Sequence, residues 1–160
     1  MKIAPHSMPG AVYFATESAI WTGGRALYDP TLPGTAAGRA YLLTVSQFSD
    51  VAAQEMYRAP STDLDLTRVL TTGRDELGPG RYETLLHIGD REGSPVLTFT
   101  APWSASEVEW NPPSKVYLRM LAEGLRESHG WNAQEVARYL GGLRGVEGHW
   151  PPDTLAALLT

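Results

Sequence analysis

The sequence contains no cysteine among its 160 residues, which excludes disulfide bonds, thiolate catalysis and cysteine-ligated metal. No window approaches 18 consecutive apolar residues, so no membrane span is expected. The N-terminus has one Lys followed by Ile3, Ala4, Pro5 and His6, without the apolar stretch of a signal peptide. With nothing to indicate export, a cytoplasmic location is expected. Basic runs are absent too, and 13 basic against 18 acidic residues give a net charge of −5. That balance leaves no electrostatic footprint for nucleic acid. No heptad pattern, internal repeat or low-complexity tract is present. No Gly-x-Ser-x-Gly elbow marks a serine nucleophile. The four histidines, His6, His87, His129 and His149, lie far apart and none stands four residues from another. No metal site is therefore expected. His87 alternates with Leu86 and Ile88 and reads as a solvent-facing or satisfied strand residue.

What remains is an ordinary folded composition, 42% hydrophobic and 19% charged, in a chain long enough to bury about two thirds of its unfolded surface. Residues 11–16 and 24–28 read as strands flanking a turn at Trp21, Thr22, Gly23 and Gly24. A further strand spans 39–45. Residues 81–88 and 95–100, joined by the Gly89–Gly93 turn, read as a β-hairpin. A short helix or excursion over 62–70 ends near Gly73. Pro113 opens a long helix with apolar residues at 116, 117, 120, 121 and 125, stopped by Gly130. A second helix follows, capped by Asn132 with Glu135 at the capping-box position, and Trp131 is placed to staple onto Val136. Residues 102–113 and 145–153 read as irregular connectors. Strands first and helices later give one α+β domain, a small mixed β-barrel or curved sheet with helices packed around it. Its core spans 10–143, and 144–160 form a C-terminal extension.

Glu55 is the residue most suited to chemistry. Residues 46–57 read as an amphipathic helix whose apolar positions Phe48, Val51 and Ala52 follow one face, and the next position on that stripe is Glu55. A carboxylate on a core-facing stripe is costly to ionise, so its pKa is expected to rise into the range of a general base or acid. The alternative is a structural Glu reaching sideways to Arg58 or to a buried backbone donor, because buried ion pairs also perturb pKa values. Tyr57, Arg58 and Tyr82 are the expected neighbours of Glu55. The Trp21–Gly24 turn admits two readings: a tight turn, or backbone N–H groups approached by an anionic ligand.

The order of these pieces resembles the γ-glutamylcyclotransferase-like superfamily. The matching features are the strand from Gly38 leading into Thr44, Phe48 and Glu55, then Tyr82 opening the hairpin. After these come Pro113, Ser114 and Tyr117 at the start of a long helix and the closing helix over 131–140. The resemblance covers residues 10–143. It implies a small mixed barrel, no cofactor, and a γ-glutamyl amine or peptide as the small-molecule substrate, cyclised to 5-oxoproline with release of the amine. It places the family's catalytic glutamate on Glu55; the neighbours of that residue, Tyr57, Arg58 and Tyr82, and the turn residues Trp21, Gly23 and Gly24 are then the expected substrate contacts. The family also opens with a strand bearing Tyr-Gly-Ser-Asn, which cradles the γ-glutamyl group. This sequence lacks it, and its first recognisable strand, at Ala11, corresponds to a later position. An upstream segment, a cradle supplied from elsewhere, or loss of activity would each account for that. A barrel short of one strand exposes edges, so either a homodimer across the gap or a rearrangement of residues 1–10 to cover it is expected. Two functions stand open: a cofactor-independent acyl-transfer enzyme, and a non-catalytic binding or scaffold protein of the same fold.

Overall fold

The computed structural model describes residues 2–59 and 62–160. Strands β1 (Ile3–Pro9), β2 (Ala11–Ala15), β3 (Arg25–Asp29) and β4 (Thr35–Tyr41) come first. Helices α1 (Val45–Glu55) and α2 (Thr67–Thr72) follow, then strands β5 (Arg74–Glu76), β6 (Thr84–Arg91) and β7 (Ser94–Thr100). A 3-10 turn at Ala105–Glu107 leads to helices α3 (Lys115–His129), α4 (Ala133–Gly141) and α5 (Pro152–Ala156), and a last 3-10 turn covers Ala157–Leu159. The architecture is mixed α+β, as the segment order implies. The expected barrel does not form among the described residues. Three small sheets, ordered β1-β4, β2-β3 and β5-β6-β7, stay open.

The chain packs as two compact units, one of residues 1–4 and 40–103, the other of residues 5–39 and 104–160. In the first, the hairpin β6–β7 pairs antiparallel with Thr84 opposite Thr100 and His87 opposite Leu97, and shifts register between His87 and Asp90. Strand β5 adds to its other edge, with Arg74 opposite Leu86. Ala52, Met56, Val69 and Leu85 form the buried centre, and Phe48 stacks on Phe99 with ring centroids 5.3 Å apart. Helix α1 starts at a capping box in which Thr44 and Gln47 satisfy each other's backbone N–H groups. Helix α2 takes only the second half of the segment read as helical and stops at Gly73, which is left-handed at φ 89°.

In the second unit, β2 and β3 pair antiparallel with Tyr13 opposite Leu27. Phe14, Leu118, Val136 and Leu140 lie at the centre of its core. The stretch read as a C-terminal extension belongs to that core, because Val146, Leu155 and Leu158 are buried within it. Ser114 caps α3 and Gly130 ends it at φ 68°, while Asn132 and Glu135 form the capping box of α4. Two tyrosines tie helices to strands. The Tyr117 hydroxyl accepts the Ala26 N–H at 3.3 Å and the Tyr139 hydroxyl accepts the Ala37 N–H at 3.0 Å. Burial pushes both phenols above their ordinary pKa. Residues 3–9, unrecognised as a strand in the sequence, pair as β1 with β4. Among the described residues no helix is long and apolar enough to cross a membrane.

Candidate functional site

Helix α1 settles the geometry around Glu55. Ser49 and Ala52 are its buried positions, the capping residue Met56 just past its end is buried as well, and Phe48 packs beside them. From Ala52 the apolar stripe runs to i+4, Met56, and not to i+3, Glu55. Glu55 is therefore exposed, and the burial on which its selection rested does not hold. Val51, counted on the same stripe, is 39% exposed. A thioether at position 56 is buried at little cost, whereas an ionised carboxylate at 55 is not, so the helix rotates Met56 inward.

Glu55 is the last helical residue, and the chain leaves α1 through a complete Schellman motif. The Tyr57 N–H donates to the Gln54 carbonyl at 3.2 Å, and the Arg58 N–H to the Ala53 carbonyl at 2.7 Å. The left-handed position that usually takes glycine is occupied by Tyr57, at φ 55°. A side chain there costs about 1–2 kcal/mol. Tyr57 is nonetheless 79% exposed, so burial does not repay that strain.

The turn before β6 meets this helix end. Glu83 folds back beneath Gly78, Pro79 and Gly80, accepting the Gly80 N–H at 3.0 Å. A Cβ on Gly78 would stand 2.5 Å from the Glu83 carboxylate, so a side chain there would push that carboxylate aside. The same carboxylate pairs with the Arg58 guanidinium, which also reaches the Leu77 carbonyl at 3.4 Å. Arg58, one of the expected substrate contacts, is thus neutralised by Glu83 and not by Glu55. Next to it, the Arg81 guanidinium lies 5.3 Å from the Tyr57 ring centroid and 5.8 Å from that of Tyr82. It donates to the Tyr57 hydroxyl at 3.1 Å. Three expected site residues, Tyr57, Arg58 and Tyr82, are brought together here. Arg81 and Glu83 escaped sequence reading because they sit inside a segment read as strand, although the preceding Gly-Pro-Gly signalled a turn.

Trp21, Gly23 and Gly24 belong to the other unit. Trp21 stacks on Tyr117 at 5.6 Å. The Gly23 N–H donates to one Glu17 carboxylate oxygen at 2.8 Å, and the Asn111 side-chain amide donates to the other at 2.7 Å. The Gly24 N–H donates to the Pro112 carbonyl at 2.9 Å. A Cβ on Gly24 would overlap the Asn111 carbonyl, which is why the close approach needs glycine. Of the two readings of this turn, the tight turn is the one formed: both amides are spent on the chain itself. Glu17 and Asn111 carried no motif and became visible only through this contact.

The second unit also has an open cleft of about 700 Å³ between α4 and residues 147–156, lined among others by Arg138, Glu147, His149, Trp150 and Asp153. None of the expected site residues lines it. Among the described residues no three His, Asp or Glu side chains converge as metal ligands do. His87 pairs with Asp90 at 3.0 Å, which makes it a satisfied strand histidine. No protein-family model, curated protein or solved structure matches the chain.

Proposed function

We propose that the protein performs cofactor-independent intramolecular acyl transfer on a γ-glutamyl amine or peptide, with Glu55 as general acid/base and a γ-glutamylcyclotransferase-like fold. The observation that carries this reading is the state of Glu55 beside its neighbours. Glu83 is committed to Arg58 and the Gly80 amide. Glu55, two residues from Tyr57, is exposed and holds no ion pair or side-chain hydrogen bond among the described residues. A proton carrier needs an unengaged carboxylate within reach of the reacting groups.

In the proposed reaction the substrate's α-ammonium gives a proton to Glu55, and the freed amine attacks its own γ-carbonyl. The γ-carbonyl carbon forms a bond to that nitrogen and breaks its bond to the leaving amine, which takes the first proton back from Glu55; the second proton, shed by the attacking nitrogen as it becomes the lactam N–H, passes through the same carboxylate, and the amine leaves protonated. The products are 5-oxoproline and the free amine. Both reacting ends belong to one molecule, so holding it folded supplies much of the acceleration.

The test is release of 5-oxoproline from a panel of γ-glutamyl amines. Glu55→Gln is expected to abolish it while changing stability by no more than about 0.5 kcal/mol, as befits an exposed position. Retained turnover in that variant would remove Glu55 from the mechanism. One observation favours a second reading, a non-catalytic binding or scaffold protein. The Gly23 and Gly24 amides are engaged within the chain, and each oxyanion donor an enzyme lacks costs about 10²–10³ in rate. Ligand binding without 5-oxoproline release would establish that alternative.

A further inference from the structure

Arg81 differs from its neighbour Arg58 in having no counter-charge. Arg58 faces the Glu83 carboxylate, and Glu83 is further held by the Gly80 amide. Arg81 makes no ion pair among the described residues; it contacts the Tyr57 hydroxyl and the Tyr57 and Tyr82 rings. Its Nε is buried and has no hydrogen-bond acceptor among the described residues. Aromatic faces attract a guanidinium but leave its N–H groups unsatisfied, and a buried donor without an acceptor is costly. The planar fork of Nε–H and Nη–H matches a carboxylate bidentately. The acceptor now on Nη2 is a neutral phenol at 3.1 Å, which a carboxylate outcompetes because charge-assisted bonds are about twice as strong.

Tyr57 is also placed to yield. It is 79% exposed and left-handed, so no buried packing fixes its ring over Arg81. Strain of this kind collects at ligand clamps.

We propose that Arg81 is a carboxylate anchor, that an incoming carboxylate displaces the Tyr57 hydroxyl from Nη2 and satisfies Nε, and that the group it takes is the α-carboxylate of the γ-glutamyl substrate. Only the last identification rests on the acyl-transfer reading; the anion site stands on the geometry of Arg81. Anchored there, the α-carboxylate fixes the α-amino group next to it near the end of α1, where Glu55 lies two residues from Tyr57. Arg58 does not share the task, because its charge is already met.

Binding, read separately from turnover, tests this. Titration calorimetry on the Glu55→Gln chain would compare a γ-L-glutamyl alkylamide with the 4-aminobutanoyl alkylamide, which keeps the amine and carbonyl and lacks only the carboxylate. The carboxylate-bearing ligand is expected to bind about tenfold tighter or better, the range of one charge-assisted contact. Adding Arg81→Gln should erase that preference, and Arg81→Lys, which keeps the charge without the fork, should leave part of it. Arg58→Gln should preserve it. Equal binding of the two ligands, an undiminished preference in Arg81→Gln, or a preference lost in Arg58→Gln would each overturn the anchor. If Arg81→Gln fails to fold, the Lys variant decides: an undiminished preference there overturns the anchor, and a reduced one supports it. A wild-type chain that shows the preference but releases no 5-oxoproline would sink the acyl-transfer reading and leave Arg81 as an anion site.

Discussion

Asp29 shows how much a single buried carboxylate can organise. It closes β3, is 5% exposed, and accepts the Thr31 N–H at 2.8 Å, the Thr31 hydroxyl at 2.6 Å and the Ala105 N–H at 2.9 Å. Burial alone pushes such a carboxyl up. The bonds from Ala105 and Thr31, with the charge of Arg144, outweigh it and hold Asp29 below its ordinary pKa. A depressed carboxylate adds stability above its unfolded value of about 3.9, and that contribution disappears as pH falls through the folded value. Asp29→Asn should therefore cost about 1–3 kcal/mol at pH 7, and the gap to wild type should narrow in denaturant melts at about pH 3. A gap unchanged between the two pH values would mean that the charge contributes nothing. No pattern around residue 29 announced this role, since its partner Ala105 lies 76 positions away. Glu55 teaches the converse. Helical spacing offered both i+3 and i+4 from Ala52 as continuations, and the polarity of the side chain, not the spacing, decided that Met56 is buried.

Helix ends are where local chemistry is self-sufficient, so they were legible. Asn132 accepts the Glu135 N–H at 2.9 Å and Glu135 accepts the Asn132 N–H at 2.9 Å. All of that lies within four residues. Asn132→Ala should cost about 1 kcal/mol and lower the melting temperature by about 2–4 °C; a melt within error of wild type would show that the box is redundant. The β6–β7 hairpin was equally readable from its turn, where Gly93 takes φ 83°. Strand β1 was not. It carries Pro5 and Pro9, and its residues alternate only between exposed and half-buried, so it forms through pairing with β4, not through its own pattern. Helix α5 was hidden by the opposite error. Its start lies in the stretch 145–153 that reads as an irregular connector, yet proline in the first helical turn is favourable, because its missing N–H would be unpaired there anyway.

On the scale of the whole molecule, the described residues form a buried cluster within each of the two compact units, and no composition or periodicity in the sequence marked that division. One cluster centres on Ala52, Met56, Val69 and Leu85, the other on Phe14, Leu118, Leu140, Leu155 and Leu158. The second is closed by side chains from the last nine residues, although both leucines lie in the stretch that reads as a C-terminal extension. Leu155 and Leu158 are each 1% exposed, and emptying one such site costs about 2–5 kcal/mol, a large share of a typical domain's stability. Removing residues 152–160 should therefore strip amide-exchange protection from α3, α4 and the β2–β3 pair. Protection in β5, β6 and β7, whose side chains pack in the other cluster, should fall much less. Hydrogen exchange followed residue by residue on the full and shortened chains would decide it. Equal loss everywhere would show that the two clusters unfold as one cooperative unit, and unchanged protection in α3 and α4 would show that the C-terminal leucines are dispensable to the core they complete.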